Sequence, residues 1–241
     1  MQLHPIAYVN SPYKQKFAIP RQPNLVREAE GELLFEPAYA DANALRGLEG
    51  FSHLWLIFAF HANAAGWSAT VTPPRLGGGT HVGVFASRSP YRPNPLGLSV
   101  VEFAGIEQRG DRLSLRVRGL DLLDGTPIYD IKPYLPYADA IVDASAAYAA
   151  QAPAACEVRF SEAARHALTQ LQDSHPRLEA FITAVLAQDP RPAQHVRHPD
   201  TERVHGMFLL DFNIRWRVQH AVAWVLSIEP RTDTTPDHAH A

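Results

Sequence analysis

Short apolar segments separated by turns rich in glycine and proline make up the first 137 residues of the chain. Leu54 to Phe60 is almost entirely apolar, which predicts a fully buried strand. Leu98 to Ile106 and Leu113 to Val117 flank the turn Arg109-Gly110-Asp111, an arrangement typical of a β-hairpin. Many short strands with such turns favour a β-barrel or a β-sandwich for this half of the chain.

Shorter signals predict further elements in the same half. His4 to Val9 and Gly31 to Phe35 have the composition of strands, and Val82 to Ala86 is long enough for one buried strand. Asp41 is a typical N-terminal cap, and we expect it to begin a short helix that ends at Leu48. The sequence has no strand followed by a G-x-G-x-x-G turn and a helix, so a Rossmann-type domain is not expected.

The pattern changes after Tyr137, where residues 138–155 are rich in alanine and proline and are expected to form a linker. Beyond it, Ser161 is a typical helix cap and Pro176 is expected to begin a second helix. Strands are predicted at 156–160, Arg203–Phe212, Ile214–Val218 and Val222–Ile228.

These elements together predict a mainly-β protein with two parts. We expect an N-terminal closed β-barrel over residues 1–137 and a small α+β domain over 156–230. Residues 231–241 contain little that a core could bury, and we expect a disordered tail there.

Composition narrows the classes of function. The formal net charge of −3 gives no overall basic field, so any contact with nucleic acid would be local. Cys156 is the only cysteine, which excludes an intramolecular disulfide and a thiolate metal cluster, and we expect no metal site. The sequence shows neither a signal-peptide pattern nor an apolar run of the ~20 residues that a membrane span needs, so a soluble cytoplasmic protein is expected.

One stretch, Arg75 to Leu98, combines three consecutive glycines, three prolines and the cations Arg88 and Arg92. Proline fixes the backbone, so both arginines project from a stiff frame that suits an anionic or electron-rich ligand. The alternative is a stiff surface turn with solvated arginines, and spacing alone leaves both interpretations open.

Other polar groups are candidates for the same pocket. The loop from Ser11 to Pro23 carries three cations and no acid, and loops of this length are usually functional or disordered. His61 follows a predicted strand and is either structural or part of a pocket. Asp121 and Asp124 flank a turn and could accept hydrogen bonds from a ribose or an amine. Alternatively, Asp124 caps its own turn and Asp121 pairs with an arginine.

A local excess of basic residues occurs in the second half, and acids offset it, so it is either a solvated face or a phosphate contact. Its members include Arg191, Arg215 and Arg217.

Four stretches together resemble the TsaA/TrmO-like family of tRNA methyltransferases. They are Ser11-Pro12-Tyr13 through Pro20-Arg21-Gln22, then Pro73 to Gly78, then Gly83-Val84-Phe85-Ala86 through Arg92-Pro93-Asn94-Pro95, and finally Asp121 to Pro127 with Asp130 to Tyr134. In the second half, Gln188 to Pro192 and Asp211-Phe212-Asn213 resemble the longer bacterial members.

The resemblance implies a β-barrel methyltransferase that acts as a homodimer with S-adenosylmethionine as methyl donor. It implies a tRNA substrate whose adenosine 37, beside the anticodon, already carries an N6-threonylcarbamoyl group (t6A), and an N6-methylated product (m6t6A). The cofactor contacts that it implies are Pro20, Arg21, Gln22, His61, Ala62, Arg88, Leu98, Asp121, Leu122, Leu123 and Asp124.

Methyl transfer from S-adenosylmethionine needs few catalytic groups from the protein. A sulfonium methyl is already activated, so the enzyme mainly aligns donor and acceptor. Arg92 and Arg21 are candidates for binding the threonyl carboxylate, and Asp124 and Asp130 are candidate bases. Arg191, Arg215 and Arg217 would meet anticodon phosphates. The rival hypotheses are a non-catalytic RNA-binding or regulatory barrel and a hydrolase of small anionic metabolites.

Overall fold

The computed structural model describes residues 2–63, 66–76, 79–198 and 200–231. Its strands are β1 Ala7–Asn10, β2 Glu30–Phe35, β3 His53–Ala59, β4 Thr70–Val71, β5 Val82–Gly83, β6 Leu96–Arg109, β7 Arg112–Arg118, β8 Pro127–Pro133, β9 Glu157–Phe160, β10 His205–Leu209, β11 Phe212–Gln219 and β12 Val222–Pro230. Its α-helices are α1 Pro136–Asp139, α2 Glu162–Leu171, α3 Leu178–Ala187 and α4 Ala193–Arg197. Short 3₁₀ turns connect several of these elements. The expectation of a mainly-β protein is confirmed.

Six strands form one antiparallel sheet in the order β1-β2-β7-β6-β3-β8. The two ends of this six-stranded sheet pair with each other, Ala7 with Ile128 and Tyr8 with Pro127, so the sheet closes into a barrel. The predicted hairpin of β6 and β7 is present. Gly105, with φ of 130°, lies where the register between them shifts, and such a bulge lets the long strand β6 curve.

Strand β3 corrects one expectation. Its burial alternates: Leu54, Leu56 and Phe58 are buried, whereas Trp55 and Ile57 between them are only half-buried. The prediction of a fully buried strand was wrong because one face of β3 packs inside the sheet, and the other face borders a cleft.

Two other local predictions are also corrected. Of the strand predicted at Val82 to Ala86, only Val82–Gly83 is extended, because the strand it pairs with, β4, has two residues. Val84–Ala86 is a 3₁₀ turn, and Phe85 within it is 75% exposed. Asp41 does cap a turn, since its side chain accepts from Asn43 N at 2.9 Å. The helix after it is divided into two 3₁₀ turns, because Gly47 adopts φ of 92°.

The second half contains a four-stranded sheet in the order β10-β11-β12-β9, with α2 and α3 packed beside it. The side chain of Ser161 accepts from Ala164 N, as expected of a helix cap. Helix α3 begins at Leu178, two residues after Pro176, and its apolar face is buried through Leu178, Phe181, Ile182 and Val185.

The two sheets share one apolar cluster. Tyr13, fully buried, forms an isolated β-bridge with Leu209, and its ring lies 5.8 Å from that of Phe181. Leu210 N donates to Pro12 O at 2.8 Å. The loop that follows β1 is therefore packed between the two sheets.

The predicted linker, residues 138–155, contains the end of α1 and a 3₁₀ turn at Ala147–Ala149. It is held to the loops of the first half, since Arg75 donates to Gln151 O at 2.6 Å and the Tyr148 hydroxyl to Ala86 O at 3.1 Å. The division into domains remains a prediction. The predicted tail, beyond Arg231, lies outside the described residues, as do Gly77 and Gly78 of the glycine run. No helix in the described part of the chain is both long enough and apolar enough to span a bilayer.

Candidate cofactor-binding cleft

A cleft of about 1000 Å³ lies over the outward face of strands β3 and β6. Its floor is apolar and includes Ile57, Leu96 and Leu98. Ile57 lies between two buried residues of β3, and Leu96 and Leu98 are exposed on β6. Four loops rise around this floor, at residues 16–24, 60–63, 87–92 and 121–123. The proline-stiffened loops singled out in the sequence, at residues 16–24 and 87–92, therefore meet on the wall of the six-stranded sheet.

Ten of the eleven residues predicted to contact a cofactor line this cleft. They are Pro20, Arg21, Gln22, His61, Ala62, Arg88, Leu98, Asp121, Leu122 and Leu123. The exception is Asp124. Arg92, a candidate for the acceptor's carboxylate, also lines the cleft. The cleft therefore brings together groups that are up to about a hundred residues apart in the chain.

Two of its walls are linked directly. Arg88 Nη1 donates to Gln22 Oε1, which joins the proline-stiffened loop to the loop after β1. Lys16 Nζ donates to Ala62 O and, at 3.3 Å, to Asn63 Oδ1, which joins the same loop to the end of β3. Arg21 and Arg88 are both exposed, so their guanidinium groups are accessible from the cleft.

Asp121 is an acidic group inside the cleft, where Asp139 also contributes to the lining. Its Oδ1 accepts a hydrogen bond from Ser99 Oγ at 2.6 Å. Burial raises the pKa of Asp121 from 3.8 to about 6, and the Ser99 hydrogen bond and the charge of Arg88 oppose that rise. At pH 7 the group is mainly a carboxylate that accepts hydrogen bonds.

Asp124 faces the other way. Its Oδ1 accepts from Ser11 N at 2.8 Å, and its Oδ2 pairs with Lys14 at 3.0 Å. Ser11 Oγ also donates to Leu122 O at 2.7 Å. The turn 121–124 is thus fixed from behind by residues 11–14. The carboxylate of Asp124 holds this neighbouring loop, and its role toward a ligand remains a prediction.

His61 lies at the rim of the cleft. Partial burial lowers its pKa below 6.5, the positive charge of Lys16 lowers it further, and Asp124 opposes both effects. These effects together favour the neutral form of His61.

The remaining predicted residues occupy different positions. Arg92 braces its own loop by donating to Val84 O at 3.1 Å and Ser87 O at 2.8 Å, and it lies over the Phe85 ring. Asp130, on β8, lies outside the cleft lining; it accepts from Ile131 N at 2.9 Å and pairs with Lys132 at 2.9 Å.

The three arginines predicted to meet phosphates lie on the second half of the protein, outside the cleft. Arg191 forms two hydrogen bonds of 2.7 Å with Asp189, and only 13% of its side chain is exposed. Arg217 pairs with Glu202 at 3.4 Å, whereas Arg215 is exposed. Since Ile214 and Trp216 are buried, Arg215 and Arg217 share the outward face of β11.

Several cleft residues were missed by sequence reasoning. Ser99, 1% exposed, is a serine at an inward position between the apolar residues Leu98 and Val100, and that mismatch is the signal that could have found it. Trp55 also lines the cleft, and nothing in its local sequence marks it. Lys16 lines the cleft too, and it belongs to the cationic loop, Ser11 to Pro23, that the sequence offered only as a whole. Among the described residues, no group of three or more His, Cys, Asp or Glu side chains is placed to hold a metal ion.

Two family models match the chain in succession. The tRNA-methyltransferase O N-terminal domain matches residues 8–140, and the TrmO C-terminal domain matches residues 153–231.

Individual relatives match over most of their length. The chain is 50% identical over 232 residues to the tRNA (adenine(37)-N6)-methyltransferase of Escherichia coli K12, covering 95% of this chain and 98% of that protein. It is 46% identical over 217 residues to a Pseudomonas aeruginosa protein named as an S-adenosylmethionine-dependent methyltransferase, covering 88% and 90%. A crystal structure of TrmO from Pseudomonas aeruginosa matches with a TM-score of 0.78 at 37% identity, covering 95% and 97%.

Proposed function

Because this chain belongs to the tRNA-methyltransferase O family, we propose that it methylates N6 of adenosine 37 in tRNA, using S-adenosylmethionine. We propose further that the adenosine already carries a threonylcarbamoyl group, so that t6A is converted to m6t6A. The observation that carries the proposal is the cleft, which gathers Arg21, Arg88 and Asp121 beside an apolar floor.

The residues of the cleft fit the methyl donor. The apolar face of β3 and β6, with Leu98 54% exposed, suits an adenine ring. Asp121 and backbone carbonyls offer acceptors for ribose hydroxyls or an amine, and Arg21 and Arg88 offer donors for a carboxylate. The volume of about 1000 Å³ is at the upper end for ligand pockets, so it leaves room for an acceptor nucleoside.

The bound cofactor supplies an electrophilic methyl group on a sulfonium, so the protein itself needs no covalent nucleophile. The state of Cys156 is consistent with this, because its thiol donates to Leu186 O and burial raises its pKa, which disfavours the nucleophilic thiolate. The protein's own contribution is then alignment of two ligands and exclusion of water.

The acceptor side needs a group for the threonyl carboxylate and a group that receives the N6 proton. Arg92 lines the cleft. Its hydrogen bonds to Val84 O and Ser87 O both come from Nη1, so Nη2 can serve a carboxylate. Asp124 and Asp130 remain candidate bases from the sequence. The position of Asp121 inside the cleft, with its pKa raised to about 6, favours it over both.

We propose that the second half of the protein contacts the anticodon arm. Arg215 and Arg217 project from one face of β11 and suit phosphate groups. Arg191 is held in its bidentate pair with Asp189 and would have to leave that pair to bind a phosphate.

A cytoplasmic location follows from a tRNA substrate.

We also propose a homodimer, supported by exposed apolar side chains beside the cleft. Phe85 is 75% exposed and Trp67 is 57% exposed, and Tyr91 is exposed near them. These loops are continuous with the cleft: Ser68 N donates to Tyr91 O, and Arg92 contacts Phe85. Exposed apolar groups concentrated in this way are typical of an interface. The Phe85→Glu variant should sediment as a monomer if a second copy covers them.

A methyl-transfer assay tests the proposed function. The purified protein is incubated with labelled S-adenosylmethionine and either a tRNA carrying t6A at position 37 or the same tRNA transcribed without modification. Label should enter N6 of the modified tRNA only. Methylation of both tRNAs would remove the t6A requirement, and binding of tRNA without S-adenosylmethionine binding would favour the non-catalytic RNA-binding hypothesis.

A further inference from the structure

An aromatic stack lies directly behind the loop that carries Arg21 and Gln22. The ring of Phe17 lies 6.5 Å from that of His205, with 20° between their planes, and 6.4 Å from that of Trp216. His205 in turn stacks on Trp216 at 4.8 Å. Phe17 belongs to the loop after β1, whereas His205 and Trp216 belong to the four-stranded sheet of the second half.

The turn that holds Phe17 depends on these neighbours. It is a 3₁₀ turn of three residues, Lys16–Ala18, and its closing hydrogen bond, from Ile19 N to Lys16 O, is long at 3.4 Å. A single turn of this kind does not maintain its own conformation in water. Trp216, by contrast, is fully buried in a paired strand, so the stack offers a rigid support.

The same turn connects to both walls of the cleft. On one side Lys16 donates to Ala62 O and Asn63 Oδ1. On the other side the chain continues through Pro20 and Arg21 to Gln22, which accepts from Arg88. A displacement of Phe17 would therefore move two groups of residues that line the cleft.

We propose that Phe17 and His205 are positioning residues, through which the second half of the protein holds the cofactor-binding loop in place. The inference rests on the proposed assignment of the cleft to S-adenosylmethionine. It gives the C-terminal part a role in cofactor affinity that is separate from any contact with tRNA.

Calorimetric titration with S-adenosylmethionine tests this inference on the full chain. Phe17→Leu and His205→Ala each remove a stacked ring, and each should raise the Kd for S-adenosylmethionine by up to about tenfold, which corresponds to about 1.4 kcal/mol. His205→Phe restores a ring and should stay within about threefold of the wild type. At saturating cofactor, kcat should change by less than about twofold in all three variants, since the stack contacts neither ligand.

Phe208→Leu is the matched control. Phe208 lies on the same strand as His205 but on its other face, where it contacts Arg231. This variant should bind S-adenosylmethionine as the wild type does. Should Phe17→Leu fail to fold, the comparison of His205→Ala with His205→Phe decides the matter.

The outcomes separate the two proposals. If the wild type binds S-adenosylmethionine and neither ring-deleting variant loses affinity, the stack is only structural and the inference is overturned. Equal losses in His205→Ala and His205→Phe would overturn it as well, because stacking would then not be the cause. If the wild type itself does not bind S-adenosylmethionine, the proposed function is overturned together with this inference.

Discussion

Ser99 Oγ, on strand β6, donates a hydrogen bond of 2.6 Å to Asp121 Oδ1, in the turn between β7 and β8. The serine is buried, so this bond joins the inside of the six-stranded sheet to a carboxylate of the cleft. It favours the ionised form of Asp121, in opposition to burial, which favours the protonated form.

Replacing Ser99 should therefore shift the titration of Asp121. In Ser99→Ala the carboxylate loses its donor, so its pKa rises above about 6. If the ionised form is required, the acidic limb of the profile of kcat/KM against pH moves to higher pH. Ser114→Ala, at another buried serine of the same sheet, is the control and should leave that limb in place.

Asp121→Asn should separate stability from function. The pKa of Asp121 is raised in the folded state, so the folded protein binds more protons than the unfolded chain between about pH 4 and 6. The contribution of Asp121 to the free energy of unfolding is therefore lost as the pH rises through this range. The asparagine variant removes this dependence and should melt at a higher temperature at pH 7 than the wild type. It should also bind S-adenosylmethionine more weakly. A melting temperature below that of the wild type at pH 7 would contradict the assigned effect of burial.

Arg88→Ala should abolish the binding of S-adenosylmethionine in calorimetry, because it removes both a cation of the cleft and the bond to Gln22. Arg75→Ala removes an exposed arginine from the same stretch of sequence, outside the cleft, and should bind normally. Unchanged affinity in Arg88→Ala would remove this residue from the site.

Arg215→Glu should weaken tRNA binding and leave the affinity for S-adenosylmethionine intact, because Arg215 lies on the outward face of β11, away from the cleft. The loss should be about tenfold or more at low salt, and the slope of log K against log salt should become shallower. Arg112→Glu, in the hairpin of β6 and β7, is the control for a change of charge. If Arg215→Glu lowers the affinity for both tRNA and S-adenosylmethionine, or for neither, the two halves of the protein do not bind these ligands separately.

Two variants of Asp124 distinguish a catalytic base from a structural support. Asp124→Asn keeps an acceptor for Ser11 N, whereas Asp124→Ala keeps none and also releases Lys14. We expect the asparagine variant to retain most of its kcat and the alanine variant to lose about 1–2 kcal/mol of stability. A fall in kcat of a hundredfold or more in Asp124→Asn, with unchanged cofactor affinity, would identify Asp124 as the base.

Local signals succeeded where the physical cause is itself local. The cap at Ser161 needs only its own side chain and the next turn, and the hairpin of β6 and β7 needs only two apolar runs and the turn between them. Val82 to Ala86 failed because an apolar run does not show whether a partner strand is long enough to pair with it. The same holds for β3, whose outward face is apolar because it floors a cleft.

By itself, the sequence determined the mainly-β class, the resemblance to a methyltransferase family and eleven of the residues that line the cleft, because periodicity and motifs are properties of the chain. The tertiary structure alone decided which of these groups meet and how each is oriented. Only folding turned the carboxylate of Asp124 toward Ser11 and Lys14, joined Ser99 to Asp121, and placed His205 behind Phe17, a residue 188 positions earlier in the chain. Such contacts depend on the packing of one sheet against another, and no spacing in the sequence encodes them.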